Sequence, residues 1–173
     1  MRGFGFHAIS KNSGDEVVVR EYKLNNSPRL ETSFIEEITL HSHMVHSNII
    51  KIFEVIKTPD SLLVITELQE PTNLRDFFPI SQSEFKVVLG DMLRMLRYCH
   101  SRNVILRNIS PKSISVKKRS GQVIFAKYGD FSCACLSYTL REFPLNEASW
   151  DIVPYLSPES IMDNKFTVAS DYW

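Results

Sequence analysis

The sequence predicts an α+β chain of two lobes, a β-rich lobe over residues 1–68 and a mainly helical lobe over residues 69–173. Three observations carry that expectation. Short apolar runs bounded by turn residues fill the first 66 positions in the order β–β–α–β–β. After EPTN the period changes, and Phe85, Val88, Leu89, Met92, Leu96 and Cys99 form one helical stripe. The 43% hydrophobic fraction is enough to fill a packed core.

Taken in order, FHAIS and EVVVREYKL flank KNSG, where Gly14 supplies the positive φ of a tight turn. They predict a hairpin over residues 4–24. Ser33 and Glu36 have capping-box spacing, so a helix is expected to begin there, with Phe34, Ile35 and Ile38 on its apolar face. IIKIFEVI (49–56) and LLVIT (62–66) are strand-like, and the KTPDS between them favours a turn. A hinge is expected near residues 67–70. Ser81 and Glu84 repeat the capping-box spacing ahead of the long helix, and ISV and VIFAKYG flank KKRSGQ as a second hairpin. From Ser132 to Pro154 no period holds, which predicts a long loop of the kind that often carries function.

Twenty basic and twenty acidic residues cancel, so no global field draws the chain to nucleic acid or to an acidic membrane. No apolar run approaches the roughly 20 residues a membrane span needs. MRGFGFHAIS lacks the apolar centre of a signal peptide. Cys99, Cys133 and Cys135 make neither a CxxC pair nor an even framework; they predict reduced thiols and a cytoplasmic or nuclear setting.

EVVVR, SFIEEITL, VHSNIIKIFEVI, LLVITEL, YCHSRNVILRNISPKSI, GDFS, SPE and ASDYW succeed one another along nearly the whole chain. In order and separation they resemble the eukaryotic protein kinase domain, of Ser/Thr type and nearest the cyclin-dependent branch. The resemblance implies the two-lobe kinase fold, with a helical lobe truncated at the start of the family's F-helix. It implies ATP and Mg2+ as cofactors. It places Arg20 at the phosphate-pairing lysine of V-A-I-K, with Glu37 as its partner on the C-helix. Thr66 falls at the gatekeeper, and Glu67 and Leu68 fall at the hinge whose backbone usually holds adenine. Asp130, in GDFS, matches the metal-binding aspartate of D-F-G. Gly3 and Gly5 fall at the third glycine and the adenine-covering valine of G-x-G-x-x-G-x-V, whose first two glycines would precede Met1. Reading GFG by itself as a nucleotide motif is the alternative.

Within that frame the reacting groups are replaced. Asn108 stands at the catalytic-loop aspartate, which orients the substrate hydroxyl and accepts its proton. An amide is not basic at any useful pH, and losing a general base typically costs about 10²–10⁴ in rate. Ser110 stands at the lysine that steadies the γ-phosphate, Ser113 at the second-metal asparagine, and Leu106 at the histidine that braces the loop. Arg107 is kept, and Asp171 matches the F-helix aspartate that hydrogen-bonds the loop backbone. Arg20 retains a charge near Glu37, but a planar guanidinium does not replace an ammonium.

The expectation is therefore a kinase-like domain that transfers phosphate poorly or not at all and acts as a binding or regulatory module for a protein partner. A cyclin-like partner is suggested by the frame that LETSFIEEI shares with the P-S-T-A-I-R-E helix. Two alternatives stand beside it: an atypical ATP-binding Ser/Thr kinase working through Asp130 and Arg20, and a truncated gene product without independent function. Several residues also have plain structural readings. Arg20 and Glu37 form a structural ion pair, Asp130 caps a turn, and His41, His43 and His46 are solvated or capping groups. Cys133 and Cys135 are loop residues, KKRS is a solvated hairpin tip, and Glu147 falls near a phosphorylated threonine of the family by coincidence, the alternative being that its carboxylate partly mimics phosphate against Arg107. An uncovered stripe from Phe85 to Cys99 predicts self-association.

Overall fold

The computed structural model describes residues 4–11, 13–24, 28–68, 73–139 and 152–173. Gly3, Glu147 and residues 140–151 of the expected long loop lie outside them.

Strand β1 (Phe4–Ile9) turns antiparallel into β2 (Glu16–Lys23), with His7 opposite Val18. Gly14 takes φ 76° at the turn, where its amide donates to the Ser10 carbonyl at 2.8 Å. That conformation is open to glycine and costly for most other residues. Strands β3 (Ile52–Lys57) and β4 (Ser61–Glu67) come after helix α1 (Pro28–Ser42) and complete a four-stranded sheet in the order β1-β2-β4-β3. Phe34 and Ile38 of α1 pack with Leu62 and Val64 of β4, and the Tyr22 ring lies 4.4 Å from that of Phe34.

Two boundaries differ from the sequence reading. Helix α1 starts at Pro28, so Ser33 is inside it and not at its cap. Proline is favoured in a first helical turn, where its missing N–H would have had no partner. Strand β3 starts at Ile52, because Ile49 pairs instead with Tyr128 across the molecule. Ile35, expected on the apolar face of α1, is exposed.

Helix α2 (Gln82–Ser101) is capped as its sequence predicts: the Glu84 amide donates to Ser81 Oγ and the Ser81 amide to Glu84 Oε2. Val88, Met92, Met95, Leu96 and Cys99 form its buried face. After the short β5 (Val104–Ile105), strands β6 (Ile114–Arg119) and β7 (Gln122–Tyr128) make a hairpin. Its tip, Ser120 and Gly121, has φ of 52° and 81°, the positive pair of a type I′ turn. Lys118 near that tip is not merely solvated, for its ammonium lies 3.5 Å from the centre of the Phe77 ring. Buried Asp91 of α2 accepts the Ala126 amide of β7 at 2.7 Å and pairs with Arg94. Strand β8 (Cys135–Leu136) pairs with β5, and helix α3 (Pro158–Asp163) lies further along the chain.

The segment before β3 is tied to β7. Tyr128 donates its amide to the Asn48 carbonyl at 2.8 Å and accepts the Ile50 amide at 2.9 Å, while Asn48 Nδ2 donates to the Ala126 carbonyl. At Gly129 the approach is so close that a β-carbon would sit 2.2 Å from Ile50 Cδ1. Beside it, Lys127 Nζ lies 2.6 Å from both carboxylate oxygens of Glu67 at the end of β4.

On the far side of α2 a groove of about 370 Å³ lies between the helix and residues 154–173. Phe85, Leu89 and Leu93 line it and are exposed, as are Tyr172 and Trp173. The expected stripe is thus buried on its β7 side only. Among the described residues, no helix is long and apolar enough to cross a membrane.

Candidate active site

The loop between β5 and β6 is built from below. Asp171 accepts the Leu106 amide through Oδ2 and the Arg107 amide through Oδ1, both at 2.9 Å. His100 Nε2–H donates to the same Oδ2 at 2.8 Å. Arg107 adopts φ 60°, a strained conformation for a side-chain-bearing residue. The paired carboxylate bonds, with Leu106 fully buried beneath, hold it there. Arg107 Nε donates to the Cys133 carbonyl at 2.6 Å, and its guanidinium faces the Phe166 ring. The Tyr128 hydroxyl donates to the Asn108 carbonyl at 2.9 Å.

Above this floor stand the substituted positions. Asn108 is buried, and its Nδ2 donates to Asp130 Oδ2 at 2.9 Å. A carboxylate only accepts, so the amide must present its NH₂ group there. Asn108 Oδ1 is then left buried without a hydrogen-bond partner. The other oxygen of Asp130, Oδ1, accepts from the Ser132 amide at 3.1 Å and from Ser132 Oγ at 2.6 Å. Ser113 does not reach outward either. Its hydroxyl accepts the Ser110 amide at 3.0 Å and donates to the Ser110 carbonyl at 2.8 Å. Ser110 is buried beside it.

These groups do not fit a magnesium ion, which takes near-octahedral oxygen ligands at about 2.0–2.1 Å. The Asp130 oxygens face three hydrogen-bond donors, and Ser113 Oγ is turned into its own loop. Ser113, which the resemblance puts at the second-metal asparagine with a shorter side chain, has its hydroxyl tied to the Ser110 amide and carbonyl. Among the described residues, no group of three or more His, Cys, Asp or Glu side chains is placed to hold a metal.

Glu37 and Arg20 call for a correction. A carboxyl held by a guanidinium is pushed down in pKa, yet Glu37 rises to about 7, first through burial and then through the Asp130 carboxylate. Burial, not an ion pair, sets its state. Burial raises the pKa of the Tyr22 hydroxyl above its ordinary value, and the nearby Arg20 charge works against that rise. Gly5, opposite Arg20 in the β1–β2 ladder, would place a β-carbon in ordinary contact with the Arg20 side chain, 3.6 Å from Cγ. Nothing there demands a glycine.

The adenine side is equally particular. Thr66 is buried with its hydroxyl unpaired. The Glu67 amide donates to the Lys51 carbonyl at 3.0 Å, so it is not a donor toward a ligand. Leu68 is exposed.

His41 is neither solvated nor a ligand. Its Nε2–H donates to the Ile50 carbonyl at 2.7 Å, and its ring stacks on Phe131 with centres 4.3 Å apart. Burial pulls its pKa down to about 4. His43 bonds the Thr39 carbonyl, and His46 Nδ1 accepts the Asn48 amide. Burial pushes the Cys133 thiol up to about 11, so it is no reactive thiolate.

Sequence reasoning anticipated the Asp171 contact through the resemblance alone. It missed the Asn108–Asp130 bond, the His41–Phe131 stack and the Lys127–Glu67 pair. For the last, opposite charges at the end of β4 and on β7 were the available signal.

A β-rich lobe of a four-stranded sheet with one packed helix, a second lobe led by α2, and a loop braced by a distant aspartate define the two-lobe α+β architecture of a protein kinase domain. The family model of the protein kinase domain matches residues 2–173, and the chain belongs to that family. Among characterised relatives, the cytokinesis protein sepH of Emericella nidulans is 30% identical over 99% of this chain and 12% of its own length. The protein of the same name in Aspergillus niger is 30% identical over 99% of this chain and 13% of its own length. A probable serine/threonine-protein kinase of Dictyostelium discoideum is 28% identical over 97% of this chain and 34% of its own length. The chain thus spans a minor part of each of these relatives, and its likeness is to Ser/Thr kinases.

Proposed function

We propose that this kinase domain does not transfer phosphate and serves as a binding or regulatory module. The observation that carries the reading is at Asn108: its amide holds Asp130, and its remaining oxygen has no basicity to take a hydroxyl proton. The Ser113 hydroxyl is tied to the Ser110 backbone, and the buried Ser110 hydroxyl carries no charge with which to steady a phosphate. The balanced charge favours a protein over nucleic acid or membrane as the partner. A regulator docking on α1 in the manner of a cyclin, and a place near the cyclin-dependent branch, rest on the helix frame noted in the sequence.

Purified protein with labelled ATP and a generic basic substrate should transfer no more phosphate than a blank. Turnover that co-purifies with the chain and vanishes in Asp130→Ala would sink the reading. Restoring Lys, Asp, Lys and Asn at positions 20, 108, 110 and 113 together should still yield little activity, because Ser132 would still hold one carboxylate oxygen of Asp130 with its amide and its hydroxyl.

One observation favours a second reading, an atypical kinase with residual transfer: the loop keeps its Asp171 bracing, so a nucleotide entering the cleft would meet an ordered loop. Binding of a fluorescent ATP analogue, with and without magnesium, separates the two. Saturable magnesium-dependent binding supports the second.

A further inference from the structure

We propose that Asn108 and Ser132 fill the cation's place at Asp130 from within, forming a latch that docks residues 130–135 on the loop without metal or nucleotide. The consequence for binding is direct: this cleft takes no divalent cation.

Two kinds of contact make the latch. The first is the donor set around the carboxylate. Asn108 Nδ2 stands 2.9 Å from Oδ2, and Ser132 closes Oδ1 with its amide at 3.1 Å and its hydroxyl at 2.6 Å. A cation approaching Asp130 would meet the positive ends of three N–H and O–H dipoles. To enter it would have to turn the Asn108 amide aside. That side chain is only part of a residue that is 7% exposed, and its Oδ1 is already unpaired. Displacement would strand its donors as well, and unpaired buried polar groups are costly.

The second kind of contact fixes the residues C-terminal to Asp130. Phe131 is fully buried between the His41 ring at 4.3 Å and the Tyr128 ring at 5.6 Å. The Cys133 carbonyl accepts a hydrogen bond from Arg107 Nε–H at 2.6 Å, and Cys135 pairs with Ile105 in β5–β8. The Tyr128 hydroxyl fixes the Asn108 carbonyl from the other side. Both partners of the central bond are therefore held in place before any ligand arrives. The second metal position is closed by the same logic, since Ser113 Oγ both donates to and accepts from Ser110.

The proposal concerns cation binding and docking, not turnover, so it is tested apart from phosphotransfer: an inactive chain could still bind metal. Mn2+ alone, followed by its electron paramagnetic resonance, should show no saturable site on the wild-type protein. Its melting temperature should be unmoved by about 10 mM Mg2+ or Mn2+, since a ligand that binds only the folded state raises it. Asn108→Asp replaces the donor with a second carboxylate facing Asp130. That variant should melt several degrees lower and recover with Mn2+. If it does not fold, Asn108→Leu, which removes the donors without adding charge, should gain weak Mn2+ binding. Saturable Mn2+ binding by the wild type that is lost in Asp130→Asn would overturn the proposal. So would an Asn108→Asp protein that melts like the wild type and ignores the cation.

Discussion

The floor and the mouth of the loop between β5 and β6 have been treated very differently. Beneath it, Asp171 still holds two backbone amides and His100, at 2.8–2.9 Å. Above it, the positions that would handle a proton, a phosphate and a metal carry Asn108, Ser110 and Ser113; the Asn108 and Ser113 side chains are bonded inward and Ser110 is buried. The difference teaches which interactions a fold needs and which a reaction needs. Backbone amides buried under the loop must find acceptors wherever the chain folds this way. A base at the mouth is required only by chemistry. The floor's bonds keep the loop's shape with Asn108 at the mouth.

That comparison can be broken. Asp171→Ala should have the largest effect, about 3–5 kcal/mol in urea unfolding, because it strands two buried amides and the His100 donor at once. Asn108→Leu at the mouth should cost far less. Equal losses would mean that floor and mouth carry the same structural weight.

Next in size is Gly129→Ala, where the added methyl meets Ile50 at 2.2 Å. The expected loss is about 1–3 kcal/mol. A companion Ile50→Ala should make the two changes less than additive, which a double-mutant cycle would read.

Smaller effects come from the two titrating groups near Asp130, and they oppose each other. Glu37, raised to about 7 by burial and then by Asp130, is protonated by the fold before the unfolded chain would be. Its contribution is present at acid pH and is lost as pH rises through about 7. Glu37→Gln should therefore stabilise the protein at pH 8 by about 1 kcal/mol and do little at pH 4. His41, pulled down to about 4 by burial, stays neutral where the unfolded chain takes up a proton. Stability from it is lost as pH falls from about 6.5 toward 4. Thermal melts across pH 4–8 for the wild type and Glu37→Gln check both slopes. A parallel pair of curves would place the carboxyl in solvent.

The smallest change is expected at the Lys127–Glu67 pair, since both side chains keep about a quarter of their surface exposed. Lys127→Met should cost about 0.5–1 kcal/mol, less at high salt. A larger, salt-independent loss would show that this bridge is part of the rigid floor.

The parts of this molecule that were legible in the sequence are local. The Gly14 turn, the Ser120–Gly121 turn and the Ser81–Glu84 box each depend on residues within a few positions of one another, so spacing alone reveals them. The start of α1 was misplaced because Ser33 and Glu36 keep capping spacing inside a helix; Pro28 was the better marker. Glu37 was misjudged because opposite charges suggest a pair, whereas desolvation depends on packing that the sequence does not display. The bond between Asn108 and Asp130 joins residues 22 apart and exists only once β7 lies beside the loop. The substitutions were legible as missing chemistry. The new contacts they make were not.

The Asp171 contact also has a consequence for the order of assembly. Its carboxylate closes on amides 64 and 65 residues earlier in the chain. Contacts at such separations form late, after the entropy of closing the intervening chain has been overcome. On a ribosome adding about 5–20 residues each second, the β1–β2 hairpin and the α2 cap can form while residue 171 is still unmade. The strained φ of Arg107 cannot be stabilised by its own neighbours in sequence. Until Asp171 arrives, the loop is a segment waiting for its last bond, and its shape is among the final events of folding.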